Sequence, residues 1–212
     1  MAFSAGFHPH PRISYANAAP TGTASEAEYV ELALSERVDP EAVRAALDEA
    51  LPTGLDVLQV VEASGGSLAD RLEASDWAIA APGLDADTVQ AAVDAYLAVD
   101  RAEVTRTFKT GPKTFDTRSA VVAMRVAAAA EVAADVPQAV PAGDPACAIL
   151  RVVVRHTTPA VRPDDVLNAL QAVAALAPPT PPLVTRLAQG PLRTATATVA
   201  DPLATDQDAD GI

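Results

Sequence analysis

Apolar and polar residues alternate along the first thirty-odd positions, Ala2 to Leu34, in a way that predicts two extended segments joined by a turn. From Phe7 to Tyr15 a period of two puts Phe7, Pro9, Pro11, Ile13 and Tyr15 on one side. His8, His10, Arg12 and Ser14 fall on the other. Each histidine precedes a proline, which drives it to extended backbone, and the prolines donate no ladder hydrogen bond. The segment therefore reads as a strand edge or a strand lead-in. A loop at Asn17 to Ser25 follows, and Glu28 to Leu34 alternates again with Val30, Leu32 and Leu34 on one face. Together they predict an antiparallel pair with a long connection.

The period then changes to that of a helix. Asp39 suits an N-cap, Pro40 the first helical position and Glu41 the positive end of the dipole. Val43, Ala46, Leu47, Ala50 and Leu51 form a stripe at helical spacing. Pro52 and Gly54 end it, and Leu55 to Val61 reads as a strand. Ser64-Gly-Gly-Ser67 is a flexible break that marks a domain boundary.

After a short helical piece at Leu68 to Ala74 the order starts again. Trp77 to Ala80 is a brief strand, and a helix from Asp85 buries Val89, Ala92, Val93, Tyr96 and Leu97. Val104, Arg106 and Phe108 alternate with Thr105 and Thr107, Gly111-Pro112 turns the chain, and Thr114 to Arg118 returns. Ala123 to Glu131 suits a helix by its alanines and a short strand by its place in the order. Ala148 to Arg155 is a strand, Arg162-Pro-Asp-Asp165 opens a helix, and a last strand lies near Leu183 to Leu187. The fold class that results is α+β, with two tandem ferredoxin-like (split βαβ) units. Residues 1–63 form the first, incomplete unit, and 75–190 the second with an inserted hairpin. Residues 194–212 are expected to be a disordered acidic tail.

Composition narrows this picture. Half of the 212 residues are hydrophobic, enough for a core, but only 4 % are aromatic, so alanine, valine and leucine must do the packing. No run of about 18 apolar residues spans a membrane. A single cysteine, Cys147, excludes an internal disulfide framework and suits a reducing, cytoplasmic setting. A net charge of −13 opposes DNA or RNA binding by the surface as a whole and leaves room for a local basic patch. The only two lysines, Lys109 and Lys113, lie in one short stretch of the chain.

Three stretches carry a resemblance. Ser4-Ala-Gly-Phe-His-Pro-His-Pro-Arg-Ile-Ser14, with Pro20-Thr-Gly22 and Ser25-Glu-Ala-Glu-Tyr29, is the first. Lys113-Thr-Phe-Asp-Thr-Arg118 and Arg162-Pro-Asp-Asp-Val166 are the others. Together they are similar to a radical-SAM-associated family of bacterial domains of unknown function, over Ala2 to about Gln189. Members occur alone or fused behind radical-SAM, B12-binding-type enzymes. The resemblance implies an RNA-related role, with RNA, a radical-SAM enzyme or an RNA-processing protein as partner. The family usually opens with a strand and an arginine-rich helix ahead of the Gly-Phe-x-Pro-His-Pro motif, and this chain enters at the motif. The expectation is an N-terminally truncated first unit with one sheet edge and one face bare. The three-cysteine cluster motif of a radical-SAM enzyme cannot be built from Cys147 alone, which points to a non-catalytic accessory module without a cofactor.

Two groups of residues carry candidate chemistry. His8, His10, Arg12, Ser14 and Glu28 form a candidate functional face across the N-terminal hairpin. His8 and His10 at i, i+2 share a side as metal ligands on strands do, without a third ligand in view, so the alternative is a plain polar strand face. Arg106, Lys109, Lys113 and Arg118 surround the predicted second hairpin, and Arg151 and Arg155 share one side of a strand. These six are the RNA or phosphate candidates, with Phe108 and Phe115 as the aromatic residues beside them. A metal-dependent enzyme domain using His10, Arg12 and Glu28 is one alternative function and a protein-interaction scaffold another. Asp206-x-Asp208-x-Asp210-Gly211 imitates the start of a calcium loop but lacks the closing glutamate. Cys147, ahead of an apolar strand, is expected to be buried and inert.

Overall fold

The computed structural model describes residues 1–5, 7–141 and 147–207. Its first elements are β1 (Ile13–Ala16), β2 (Ala24–Ser25), β3 (Tyr29–Leu32), α1 (Pro40–Ala50) and α2 (Leu68–Arg71). There follow β4 (Ala74–Pro82), α3 (Ala86–Ala98), β5 (Glu103–Phe108), β6 (Gly111–Asp116), β7 (Val121–Ala127) and α4 (Ala129–Asp135). The last are β8 (Cys147–Arg155), α5 (Pro163–Ala174), β9 (Leu183–Gly190), β10 (Leu192–Arg193), β11 (Thr198–Val199) and α6 (Ala204–Gln207). The protein is of mixed α/β type. Among the described residues no helix is long and apolar enough to cross a membrane.

The chain divides into two units. The second unit is built from Ala19–Ala27 and Leu72–Ala200, and it holds most of the buried residues. Its mixed sheet has the order β2-β9-β4-β8-β7, with β2 parallel to β9 and every other neighbour antiparallel. β4 is covered on both faces, which explains why it runs over nine residues where only Trp77 to Ala80 was expected. On one face Trp77, Ile79, Leu150 and Val152 pack against Val89, Val93 and Tyr96 of α3 and Val166 and Leu170 of α5. On the other, Ala78, Ala80 and Ile149 meet Val132 of α4 and Val136 and Ala139 beside it. The ambiguous stretch around Ala123 to Glu131 resolves into both forms, β7 followed by α4.

The first unit comprises Met1–Ala18, Glu28–Arg71 and the described residues from Asp201 onward. β1 and β3 form the expected antiparallel pair, in the register Ile13 to Leu32 and Tyr15 to Val30. β1 is shorter than the alternation suggested, because ahead of Ile13 the chain carries Pro9 and Pro11 and makes a single bridge, Phe3 to Pro11. α1 starts where its signals placed it, with the Asp39 carboxylate accepting from the Glu41 N–H at 3.2 Å. Its apolar stripe, however, has no buried member.

Two expectations are corrected here. Leu55 to Val61 is not a strand, because its backbone bonds to helix side chains instead of a neighbouring strand. The Val57 N–H donates to Asp48 Oδ1 at 2.9 Å, and Arg44 Nη1 donates to the Val57 carbonyl at 3.4 Å. Thr194 to Gln207 is not the expected disordered tail: β11 pairs with β10, and α6 buries Asp206 against Arg71 and Ser64. The rest of the calcium-like stretch, Asp208, Asp210 and Gly211, lies outside the described residues.

Candidate nucleic-acid interface

β5 and β6 make a regular hairpin whose register pairs Val104 with Phe115, Arg106 with Lys113 and Phe108 with Gly111. Cross-strand partners share a face, so Val104, Arg106, Phe108, Lys113 and Phe115 all lie on one side of it. Thr105 and Thr114, hydrogen-bonded at 2.7 Å, occupy the other. The hairpin is anchored at its base by Val104, which is buried in the main core, and it leads outward to an exposed tip at Lys109 and Thr110.

On that face the Arg106 guanidinium sits 4.7 Å from the centre of the Phe108 ring and 5.1 Å from that of Phe115. The two rings meet edge to face at 6.4 Å, and Lys113 Nζ lies 5.6 Å from the Phe108 ring. Such cation–ring contacts contribute about 0.5–1 kcal/mol each at half-exposed sites. Arg106 is also committed elsewhere. Its Nη1 pairs with the buried Asp165 carboxylate, and its Nη2 donates to the Ala160 carbonyl at 2.9 Å. Asp165 in turn accepts the Arg162 N–H at 2.8 Å at the start of α5. Burial pushes its carboxyl above the usual range, against the backbone bond and the two arginines. Arg106 therefore holds the rings in place and has its charge already balanced. Lys109 and Lys113 are the exposed cations of the hairpin.

The stretch Lys113 to Arg118 is mostly architecture. Asp116 accepts three backbone N–H groups, from Ala102 at 2.9 Å and from Arg118 and Ser119 at 3.1 Å. Burial opposes its charge, yet these donors hold its pKa below the ordinary carboxylate value. The buried Thr117 hydroxyl donates to the Ala102 carbonyl at 2.9 Å and accepts from the Tyr96 hydroxyl at 3.0 Å. Arg118 turns inward, with Nη1 donating to the Val121 carbonyl at 3.3 Å.

The six basic candidates do not form one patch. Arg151 lies in the sheet opposite Ala78, on the face covered by α4. It makes a two-pronged bond to Asp76, with Nη2 at 2.8 Å from Oδ2, and a second ion pair with Glu131 at 3.0 Å. Arg155 is exposed at the far end of β8. The hairpin alone brings together Arg106, Lys109 and Lys113.

The N-terminal candidates are exposed along their whole length, from His8 and His10 through Arg12 and Ser14, as is Glu28. The Ser4 hydroxyl accepts the His10 N–H at 3.0 Å, and the Ser4 N–H donates to the His10 carbonyl at 2.8 Å, which closes this loop through its backbone. The carboxylate that the register sets opposite Ser14 belongs to Glu31, not Glu28. Among the described residues no group of three or more His, Cys, Asp or Glu side chains is arranged to hold a metal ion.

One polar cluster was not anticipated. His156, just past β8, places Nδ1 2.6 Å from the Leu72 carbonyl and Nε2 2.8 Å from Ser75 Oγ. A carbonyl can only accept, so Nδ1 carries the proton and the serine hydroxyl donates to Nε2. Beside them on β9, the fully buried Arg186 donates from Nε to Ser25 Oγ at 3.1 Å and lies 5.4 Å from the Trp77 ring. Gln189 Nε2 donates to the Ala27 carbonyl at 2.6 Å. Ser75 is 1 % exposed, and the serine–histidine pair joins the start of β4 to the end of β8. The signal for this cluster was Arg186, a charged residue among the apolar positions of the expected strand at Leu183 to Leu187.

The second unit and its inserted hairpin define a mixed α/β domain that carries a cation–aromatic surface. The chain belongs to the DUF2344 family, described as uncharacterized proteins conserved in bacteria, which it matches over residues 1–163. No curated protein and no solved structure matches it.

Proposed function

We propose that this protein is a non-catalytic accessory module that contacts RNA, or the RNA of a ribonucleoprotein, through the β5–β6 hairpin. One observation carries the reading. In a chain of net charge −13, both lysines and two of the four phenylalanines stand on this one hairpin, with Phe108, Phe115 and Lys113 on one face and Lys109 at its tip. Cations that meet phosphates beside rings that stack on bases are the parts such a contact needs. The strand order β9-β4-β8-β7, with α3 and α5 as crossovers, supports reading the second unit as a ferredoxin-like split βαβ module. The first unit, with one strand pair and one longer helix, is then a smaller companion. A radical-SAM enzyme or an RNA-processing protein is the partner this proposal carries.

The test is fluorescence anisotropy with a short unstructured oligoribonucleotide across a salt series. Two phosphate contacts give a slope of roughly −1.4 in log affinity against log salt, since each contributes about −0.7 on a single strand. Lys109→Ala with Lys113→Ala should flatten that slope and weaken binding. Binding that ignores salt, or that the double variant leaves unchanged, would sink the proposal.

A further inference from the structure

Internal partners engage most of the arginines. Among the described residues seven of the thirteen pair with a carboxylate, Arg106 and Arg151 included. Arg186 is buried, and Arg118 turns in on the Val121 carbonyl. That leaves Arg12, Arg155, Arg162 and Arg193, all exposed and none in an ion pair with a described residue. Of these four, Arg162 is set beside the β5–β6 hairpin. Asp165 Oδ2 accepts from both Arg106 Nη1 and the Arg162 backbone N–H. Arg106 Nη2 donates to the Ala160 carbonyl, two residues before Arg162. One carboxylate oxygen thus joins the cation–aromatic face of the hairpin to the chain that enters α5.

The same bonds divide the cations by role. Asp165 balances Arg106, which withholds that charge from a ligand. It takes only the backbone N–H of Arg162, so the start of α5 is capped without using the Arg162 guanidinium. Asp164 is exposed on the same turn, but it stands two residues on, a spacing that does not face Arg162 on a helix. Lys109, Lys113 and Arg162 are therefore the open cations of this surface. They are spread out. Lys113 lies opposite Arg106 in the register, and Lys109 is three residues beyond Arg106, about 10 Å at strand spacing. Arg162 is on the α5 side of that guanidinium. A single phosphate group cannot reach from end to end, whereas successive phosphates of an extended strand can. The rings along this track suit bases that are free to leave their neighbours, which those of a duplex are not.

We infer that the RNA contact runs past the hairpin onto the start of α5, where Arg162 supplies a third phosphate-binding cation, and that the RNA is an extended, unpaired strand. This rests on the hairpin reading proposed above and adds a residue and a ligand class to it. Arg106 orients the rings and contributes no phosphate contact of its own.

The test measures binding of the full chain to a short oligouridylate across a salt series. The two lysines alone set a slope of about −1.4 in log affinity against log salt, and a third contact steepens it to roughly −2.1. Arg162→Gln should return the slope to about −1.4, while Arg162→Lys should hold it near −2.1. Both variants keep the backbone N–H that Asp165 accepts, so neither disturbs the cap. Arg193→Gln makes the same change of net charge on β10 and should leave the slope as in the wild type. The oligouridylate annealed to its complement should bind more weakly than the free strand. A wild-type slope of about −1.4 that Arg162→Gln does not alter would overturn the inference and leave the hairpin reading standing. Equal effects of Arg162→Gln and Arg193→Gln would also overturn it, as would a duplex that binds as well as the free strand. Absence of salt-dependent binding, or a slope untouched by the lysine double variant, would remove the hairpin reading and this inference together.

Discussion

Arg71 Nη1 and Asp206 Oδ2 lie 2.5 Å apart although 135 residues separate them in the chain. The same carboxylate accepts the Ser64 N–H at 3.0 Å and the Ser64 hydroxyl at 2.5 Å. Arg71 Nη2 also donates to Asp206 Oδ1 at 3.2 Å and to the Gly65 carbonyl at 2.7 Å, and Nη1 donates to the Pro202 carbonyl at 3.1 Å. One buried acid thus ties α6 to the glycine break and to α2 inside the first unit. The Arg71 hydrogen bond, followed by the Ser64 donors and against burial, lowers its pKa from 3.8 to about 2.

That shift sets an acid dependence. A depressed carboxyl pKa stabilises the fold fully above the unfolded value of 3.8 and loses the contribution as pH falls toward 2. Asp206→Asn should cost on the order of 2 kcal/mol at pH 7, since about 1.4 kcal/mol attaches to each pKa unit. Urea unfolding at pH 7, 4 and 2 should show the gap between wild type and variant close at the acid end. A gap that stays constant down to pH 2 would refute the assignment.

His156 gives a second pH dependence with a different window. Burial lowers its pKa below the ordinary 6.5, the Arg186 charge adds to this, and the bond to the Leu72 carbonyl opposes it. Below 6.5 the unfolded chain takes up protons that the folded ring resists, so stability is complete above 6.5 and declines as pH drops below it. His156→Gln should remove this step and leave the carboxylate transitions lower down. Replacing the ring by alanine at pH 7 should cost about 1–3 kcal/mol for the unpaired Ser75 and Leu72 groups. Chemical denaturation between pH 7.5 and 5 reads both effects, and an unchanged slope in the glutamine variant would count against them.

Local signals announced much of this architecture. The Asp39-Pro40-Glu41 cap, the strands around Val104 and Ala148, and the helix opened by Pro163 all rest on interactions within a few residues, which sequence periodicity reports directly. Long-range placement was hidden. Val57 bonding to Asp48 and Arg44 instead of a strand, and Asp206 reaching back to Arg71, depend on where the chain returns in space. At the candidate site, alternation put Arg106 and Phe108 together, and the register added Lys113 and Phe115. The spacing of Arg151 and Arg155 correctly gave them one side of a strand. It could not reveal that Asp76 and Glu131 occupy Arg151 on a different face of the unit.

The hairpin separates residues that build from residues that touch a ligand, and paired variants should show it. Asp116 satisfies three backbone N–H groups at the base of the turn, so Asp116→Ala leaves them unpaired. The expected loss is about 2 kcal/mol in thermal or urea unfolding. Lys113 is exposed, with its ammonium near Phe108, and Lys113→Ala should shift stability by no more than about 0.5 kcal/mol. Its effect belongs to binding, as a weaker oligoribonucleotide complex whose salt slope falls by about 0.7. Phe108→Ala removes the ring that faces both Arg106 and Lys113 and should weaken binding by about 1–3 kcal/mol if a base stacks there. If Lys113→Ala instead destabilises the protein as much as Asp116→Ala does, the lysine is architectural and the hairpin loses its role as a contact surface.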